Sequence, residues 1–220
     1  MGVTDLWGVP PEREPASATA YRMMRQAIIR GQIPQGARVN ELELAGAWRM
    51  SRTPIRDALR RLEAEGLLEA VPRKGMIVRH AGGSELEDLY DLCEVLEGLA
   101  ARRAAQRGTP AFIADLNGLI KAYGAALKAD DAERMLAVDD QLHGAIAEVG
   151  QHQRLGRAIE NLRAQLRDVR LRGLRSKGRA TKSFREMAKM TAAIRGRDAP
   201  RAEAAMREHI ASLRAELAGG

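Results

Sequence analysis

The chain has 220 residues, of which 45% are apolar and 30% charged, and its 36 Lys and Arg against 29 Asp and Glu leave a formal net charge of +7. The apolar fraction excludes a wholly disordered chain, and the 3% of aromatic residues argues against a β-sandwich, a β-barrel or a base-stacking single-strand binder. The positive charge favours an anionic partner, first of all nucleic acid, although a coding bias toward arginine would leave the same excess.

The first segment, residues 1–17, is predicted to be a flexible arm, because it includes Pro10, Pro11 and Pro15 and offers little that a core would bury. It lacks the apolar segment of a signal peptide, and no later segment approaches the ~18 apolar residues that span a bilayer. The single cysteine, Cys93, allows no intrachain disulfide. We therefore expect a cytoplasmic protein.

Residues 18–80 are predicted to form three helices and then a β-hairpin, which is the order of a winged helix-turn-helix. Asn40 and Ser51 are the expected N-caps of the second and third helices. The predicted elements are helices from Thr19 to Gly31, from Glu41 to Trp48 and from Ser51 to Gly66, and strands from Leu67 to Val71 and from Met76 to Val78.

The third of these helices carries long hydrogen-bond donors near its N-terminus, where arginine side chains suit base edges in the major groove. Hydroxyl groups beside them, with the helix N-terminus itself, suit phosphate. The hairpin tip is basic, and a glycine there lets the backbone approach a minor groove. Spacing alone fits a solvated basic helix and an ordinary turn equally well. The residues predicted to bind DNA are Ser51, Arg52, Thr53, Arg56, Arg73, Lys74 and Gly75.

After a linker at 81–83, residues 84–220 are predicted to be helical throughout. Each helix has an apolar stripe and the connections are short, so neighbours should pack antiparallel. The expected fold class is mainly α, with an N-terminal winged helix-turn-helix, its small β-hairpin, and a C-terminal antiparallel six-helix bundle. The six helices run from Glu85 to Gln106, Pro110 to Ala129, Ala132 to Gly150, Gln153 to Arg172, Thr181 to Gly196 and Pro200 to Leu217.

Three polar residues lie on or beside the core-facing stripes of this bundle. Asp139 and His143 are four residues apart on the third bundle helix, and His209 is on the last. Burying a carboxylate and two imidazoles is costly unless they find partners, which a shared metal ion or an anionic ligand would supply. A hydrogen-bonded core histidine, or an Asp–His pair that serves structure alone, is the alternative that the pattern leaves open.

The N-terminal half resembles the DNA-binding domain of GntR-family transcriptional regulators. The residues that carry the resemblance are the run Ser51–Leu59 (SRTPIRDAL), the pair Gly66-Leu67 and the run Pro72–Gly75 (PRKG). By this resemblance Arg52 and Arg56 contact the operator and Gly75 marks the tip of the wing. Two positions depart from the family pattern. Arg49 stands where a turn glycine is usual, so it either adds a phosphate contact or alters the turn, and Leu42 stands where arginine is frequent, which affects site preference.

The C-terminal half resembles the all-helical sensor domain, of the FCD type, found in the FadR subfamily, and six helices favour its VanR-like branch. Asp139 to His143 match Asp-x-x-Phe-His, with leucine in place of phenylalanine, and Ala205 to His209 match the closing helix. In metal-binding members an Asp and three His hold one divalent ion, such as Zn, Ni or Mn, that engages a small carboxylate effector. The resemblance implies that Asp139, His143 and His209 bind the metal or the effector and that residues 84–220 sense the effector and dimerise.

The fourth ligand position of that pattern does not match, because Met187 replaces the expected histidine. A neutral thioether is a poor ligand for these ions. Three protein ligands with water or effector still form a usable open site; alternatively the pocket binds its effector with no ion.

Two further features have more than one interpretation. Cys93 stands where many members of the subfamily have an arginine, and its simplest role is that of a small buried hydrophobe. The basic run from Arg163 to Lys182 is most often a solvated face. It would otherwise line an anion pocket or neutralise phosphates beside a bent operator.

These features predict a DNA-binding transcriptional regulator and not an enzyme. It would bind double-stranded operator DNA, a short palindrome, as a homodimer, respond to a small organic acid, and repress rather than activate. One alternative is a metal-dependent enzyme that uses Asp139, His143 and His209, but no general base or nucleophile accompanies them. The other is a constitutive DNA-binding protein that senses no effector.

Overall fold

The computed structural model describes residues 15–149 and 153–216. Most of the predicted arm, and the predicted helix ends at Gly150 and Leu217, lie outside the described residues. Within the described part the chain divides into two compact units, and the boundary along the sequence lies between His80 and Ala81. The prediction of a mainly helical chain with an N-terminal winged helix-turn-helix is confirmed.

The first unit contains three helices and three short strands. They are α1 (Ala16–Ile29), β1 (Arg38–Val39), α2 (Glu41–Trp48), α3 (Arg52–Ala64), β2 (Leu68–Val71) and β3 (Gly75–Val78). The start of α1 precedes the predicted Thr19, because the backbone is extended only as far as Pro15, whose carbonyl oxygen accepts from the amides of Ala18 and Thr19. Residues 16 and 17, expected in the arm, are therefore helical.

The three strands form one antiparallel sheet in the order β1-β3-β2. The hairpin pairs Leu68 with Val78 and Val71 with Gly75, and β1 pairs with the other edge of β3. The sequence analysis missed β1, because two residues are too few to show an alternating pattern. Its Val39 contributes to the core of this unit.

The core of the first unit lies between α1, α3 and the sheet. Helix α3 contributes Ile55, Leu59 and Leu62, and α1 packs on it with Met24 and Ile28. These α3 positions recur at intervals of three or four, so the opposite face of the helix stays in solvent. This packing turns the basic face of α3 outward.

The second unit is a bundle that contains seven helices within the described residues. They are α4 (Ser84–Arg107), α5 (Pro110–Lys128), α6 (Ala132–Val149), α7 (Gln153–Gln165), α8 (Arg167–Leu174), α9 (Lys177–Arg195) and α10 (Ala199–Ala215). Helix α4 is central, since α6, α7, α9 and α10 all pack on it. None of the described helices has the length and apolar character needed to cross a membrane.

The prediction of six bundle helices is wrong at one point, because the expected helix from Gln153 to Arg172 is divided into α7 and α8. Leu166, between them, has φ −88° and ψ 0°. The carbonyl oxygen of Arg163 accepts a hydrogen bond of 3.4 Å from Nη1 of Arg170. A side chain that inserts into the backbone hydrogen-bond ladder is a usual cause of a helix break. The break also brings the guanidinium groups of Arg163 and Arg170 to the same buried carboxylate.

Candidate functional site

The predicted DNA-binding residues of the first unit lie at the start of α3. Arg52, Thr53 and Arg56 are exposed, and Ser51 occupies the N-cap position without a side-chain capping bond, so the predicted capping bond is absent and its hydroxyl is free for another acceptor or donor. Asn40 does cap α2, by accepting from the amide of Leu42. The turn between the two helices keeps its geometry despite the missing glycine.

That turn depends on Arg49, which has φ 52° and ψ 41° and ends α2 in the left-handed conformation. Its amide donates to Gly46 O, and the next amide, of Met50, donates to Ala45 O. These bonds satisfy the last carbonyl groups of the helix as a glycine would. Arg49 thus forms a regular left-handed end to α2, and its side chain is exposed.

Glu41 holds the two proposed base-reading arginines together. Its Oε1 accepts from Nε of Arg52 at 2.8 Å and from Nη2 of Arg56 at 2.9 Å. The hydrogen bonds from Arg56, and then from Arg52, lower the pKa of the Glu41 carboxyl. The sequence analysis named Glu41 as the start of α2 but did not foresee this contact, since an acid there shows no sequence relation to a basic face eleven residues on.

The wing residues lie on the turn between β2 and β3. Arg73, Lys74 and Gly75 are all exposed, and both Arg73 (φ 66°) and Gly75 (φ 81°) adopt the left-handed conformation. Glycine adopts it without strain. The hairpin thus presents a narrow, positively charged tip.

In the second unit the structure brings the three predicted polar residues together. Asp139 and His143 lie one turn apart on α6, His209 lies on α10, and all three are buried. One ligand atom from each lies within 4.8 Å of the others, and the two imidazole centroids are 5.6 Å apart.

The hydrogen bonds at Nδ1 of both imidazoles are those that suit a metal ligand. Nδ1 of His143 forms a short hydrogen bond with the carboxylate of Glu97, and Nδ1 of His209 lies 2.8 Å from Oε2 of Glu186. Because an ionised carboxylate only accepts, each Nδ1 donates a proton, and in a neutral ring the lone pair then lies on Nε2.

The two Nε2 atoms decide whether this set fits a metal ion. Both are buried and have no hydrogen-bond partner among the described residues, an arrangement that costs free energy unless something binds them. Burial, and then the charge of Arg163, lower the pKa of His143, so its imidazole is neutral. Two imidazole nitrogens and one carboxylate, braced by outer carboxylates, fit a divalent cation.

Two arginines brace the carboxylate of Asp139. Its Oδ2 accepts from Nη2 of Arg163 at 2.6 Å and from Nη2 of Arg170, while Oδ1 faces Nε2 of His143 at 3.6 Å. Burial alone would raise the pKa of Asp139, but Arg163, His143 and Arg170 together lower it well below its usual range. The same competition, won by Arg163 and His143, lowers the pKa of Glu97 to about 2.

Met187 is buried on α9, directly after the Glu186 that orients His209. Among the described residues the possible ligand set therefore stays at Asp139, His143 and His209. Three protein ligands leave coordination positions open, as in catalytic and sensing sites.

A cavity of about 680 Å³ opens beside this cluster. Asp139 and His209 form part of its wall, and so do Arg170, Arg172 and Arg179. Its volume suits a small molecule, and arginine is a residue type that suits an anion.

The basic run is therefore not a solvated face throughout. That interpretation is wrong for Arg163, Arg170 and Arg179, which are 6%, 5% and 4% exposed, and it fits the exposed members of the run, Arg172, Arg175, Lys177 and Lys182. Cys93 is 1% exposed and burial raises the pKa of its thiol, in keeping with its role as a small buried hydrophobe.

In the second unit the sequence analysis missed Glu97 and Glu186, and it left open whether Arg163 and Arg170, as part of the basic run, line an anion pocket. The available signal was a charge at a core-facing position. Glu97 follows Tyr90 and Cys93 at helical spacing, and Arg163 follows Leu155 and Ile159. The same signal had singled out Asp139 and His143.

Comparison with known proteins agrees with this architecture. The model of the family described as bacterial regulatory proteins, gntR family, matches residues 16–78, and the FCD domain model matches residues 88–212. The chain belongs to the GntR family. This GntR regulator carries an FCD domain, as the resemblance predicted.

Relatives of this GntR regulator are transcriptional regulators and not enzymes, which confirms that prediction. It is 33% identical over 144 residues to an HTH-type transcriptional regulator from the TAR-I ttuE-ttuC' intergenic region of Agrobacterium vitis, covering 64% of this chain and 84% of the relative. It is 24% identical over 200 residues to the HTH-type transcriptional repressor RspR of Escherichia coli K12, covering 91% and 88%. The structure of E. coli McbR/YncC has a TM-score of 0.79 at 22% identity, covering 94% of this chain and 99% of that one, and shows the same fold.

Proposed function

We propose that this GntR regulator represses transcription by binding a short palindromic operator as a homodimer in the cytoplasm, and that a small carboxylate effector releases it. Residues 18–80 bind the DNA, and residues 84–220 bind the effector and hold the dimer.

The reading face of α3 supports the DNA-binding part of the proposal. Arg52 and Arg56 project from the N-terminal half of a short helix, the geometry by which a recognition helix reaches guanine in the major groove. Glu41 fixes both side chains before DNA arrives, so less conformational entropy is lost on binding. Ser51 and Thr53 face phosphates, and Arg73, Lys74 and Gly75 at the hairpin tip face the minor groove.

The observation that carries the sensing part is the pair of buried, unpartnered Nε2 atoms of His143 and His209 beside Asp139. A divalent ion such as Zn²⁺, Ni²⁺ or Mn²⁺ held by these three residues would supply a Lewis-acidic charge for a carboxylate group. Arg170, Arg172 and Arg179 on the cavity wall would bind the remaining anionic groups of the effector. We therefore assign the cavity to a small organic acid.

The effector controls the DNA-binding state through its differential affinity for two dimer geometries. One geometry presents two α3 helices to successive major grooves, about 34 Å apart. An effector that binds the other geometry more tightly shifts the population away from the operator, by no more than that difference in affinity.

Two measurements test this function. Fluorescence anisotropy with the DNA upstream of its own gene should show binding that weakens steeply as salt rises. Thermal shift with a panel of dicarboxylates and hydroxy acids, with Zn²⁺, Ni²⁺ or Mn²⁺ and then with chelator, should show stabilisation that His143→Ala abolishes. His80→Ala, at an exposed histidine outside the bundle, is the control.

The outcomes separate the alternatives. If an acid still stabilises the protein after the chelator has been added, the cavity binds its effector without a metal ion. Operator binding with no stabilisation by any acid or metal contradicts sensing and leaves a constitutive DNA-binding protein. Turnover of any tested acid would overturn the assignment to a regulator that does no chemistry.

A further inference from the structure

Helix α4 carries an exposed apolar stripe on the side that faces away from the bundle. Leu92, Val95 and Leu99 are 52%, 52% and 37% exposed, and within the described part of the helical unit they are the large hydrophobic side chains that remain in solvent. Their spacing of three and four residues aligns them along one line of the helix. Scattered exposed leucines need no explanation, but an aligned set marks a contact surface.

Polar residues extend this line in both directions with the same spacing. The full line, here called the α4 seam, consists of the exposed residues Asp88, Leu92, Val95, Leu99, Arg102 and Gln106. Intervals of four and three alternate along it without interruption, as at the a and d positions of a coiled coil. At 1.5 Å per residue the seam is about 27 Å long.

The charges of the seam are self-complementary. A second α4 that runs antiparallel, about a two-fold axis at Val95, pairs residues that lie equally far from Val95 on either side. It places Asp88 opposite the partner's Arg102 and Glu87 opposite the partner's Arg103. Leu92 then lies beside the partner's Leu99, one position out of exact register. A parallel partner would instead set Asp88 against the partner's Asp88, which repels.

The helix dipole does not account for this distribution of charge. Acids at the N-terminus and bases at the C-terminus stabilise any helix, but only within its first and last turns. Helix α4 spans Ser84–Arg107, so Asp88 lies in its second turn and Arg102 in its last turn but one. Both side chains lie on the same line as the apolar residues between them.

We propose that the α4 seam is the surface through which two copies of this chain pair, antiparallel and about a two-fold axis. This inference rests on the homodimer proposed above and names its surface. An isologous contact of this kind uses each residue twice, and it covers the apolar stripe without leaving an acid or a base unmatched at either end.

The seam and the sensing cluster share one helix. On the buried side of α4, Glu97 bonds His143 and accepts from Arg163, while Val95 and Leu99 lie on the exposed side. A change at the cluster that shifts α4 therefore moves the seam with it, and helix shifts at subunit interfaces are a common way to switch a dimer. The proposed dimer contact therefore lies on the same helix as the residues that respond to the effector.

Paired charge reversals test the seam on the full chain. Asp88→Arg gives a seam with two arginines and Arg102→Asp gives one with two aspartates, so each variant alone should raise the dimer dissociation constant about 10-fold or more in sedimentation equilibrium. An equimolar mixture should recover wild-type dimerisation, because the antiparallel pair then sets each arginine against an aspartate. Neither substitution removes a buried contact among the described residues, since Asp88 is exposed and the ion pair of 3.4 Å between Arg102 and Glu203 lies at the surface.

An apolar variant with a matched control completes the test. Val95→Lys, at the two-fold axis, should raise the dissociation constant about 100-fold, whereas Ala114→Lys on the exposed face of α5 adds the same charge and should change nothing. Variants that dimerise like wild type, singly and mixed, overturn the seam and leave the homodimer standing. A wild-type chain that stays monomeric at micromolar concentration, alone and on the operator, overturns both.

Discussion

Nη2 of Arg163 lies 2.6 Å from Oδ2 of Asp139, and both side chains are buried. The same guanidinium group donates through Nη1 to Glu97, so one arginine neutralises two carboxylates that belong to different helices. It leaves Oδ1 of Asp139 directed at His143. The arginine therefore stabilises the bundle and orients the proposed ligand set.

Arg163→Met should destabilise the protein by about 3–5 kcal/mol, because it leaves two buried carboxylates without their main counter-charge. Urea unfolding followed by circular dichroism measures this difference. Arg167→Met, four residues on, is the control: its ion pair with the exposed Glu133 should contribute less than about 1 kcal/mol. Equal losses in the two variants would contradict the central role of Arg163.

Met187→His should strengthen binding of Zn²⁺ about 10-fold or more, since it restores the imidazole that the family pattern has at this position and adds a fourth protein ligand. Competition with a fluorescent chelator measures the affinity. Met187→Leu keeps the buried volume and removes the sulfur, and it should leave the affinity unchanged. A loss of affinity in the leucine variant would show that the thioether itself is a ligand.

Arg52→Ala and Arg56→Ala should each weaken operator binding by about 10- to 100-fold and relax the preference for one base pair in each half-site. Anisotropy on single-substitution operators reports both effects. Arg61→Ala is the comparison on the same helix, because its guanidinium lies 3.7 Å from the centroid of the Tyr21 ring. Its operator affinity should change little, and the base preference should not change at all.

Glu41→Gln should lower the ratio of the affinity for operator DNA to the affinity for unrelated DNA by about 5-fold. The change removes a negative charge near the phosphates, which strengthens non-specific binding, and it frees Arg52 and Arg56 from their fixed positions, which weakens specific binding. Parallel titrations of the two DNAs at one salt concentration measure the ratio. Glu63→Gln, at an exposed position on the same domain, should leave it unchanged.

Arg49→Gly should raise the free energy of unfolding by about 1 kcal/mol, because a side chain other than glycine is strained in the left-handed conformation. The same substitution should weaken operator binding modestly and reduce its salt dependence, if Arg49 contacts a phosphate. Arg30→Gly is the control, since Arg30 ends α1 with φ −78° and gains no relief. Thermal unfolding that shows no gain for Arg49→Gly would contradict the strain argument.

Much of the first unit was predictable because its signals are local. Helix α2 has the predicted bounds, from Glu41 to Trp48, since Asn40 supplies a cap and the apolar spacing is regular. The hairpin followed from Pro72 to Gly75 between two apolar runs. Strand β1 was not predictable, because it has only two residues and pairs with β3, which is distant in the sequence.

In the second unit, the sequence determined that Asp139, His143 and His209 lie on core-facing stripes, because helical periodicity assigns a face to each position. The partners that those faces contact depend on how the helices pack: Glu97 is 46 positions from His143 and 66 from Arg163. Periodicity does not predict which arginines of the basic run are buried in the core, since their burial depends on counter-charges supplied by other helices. Amphipathic spacing is a property of neighbouring residues, whereas the neutralisation of a buried charge belongs to residues that folding alone brings together.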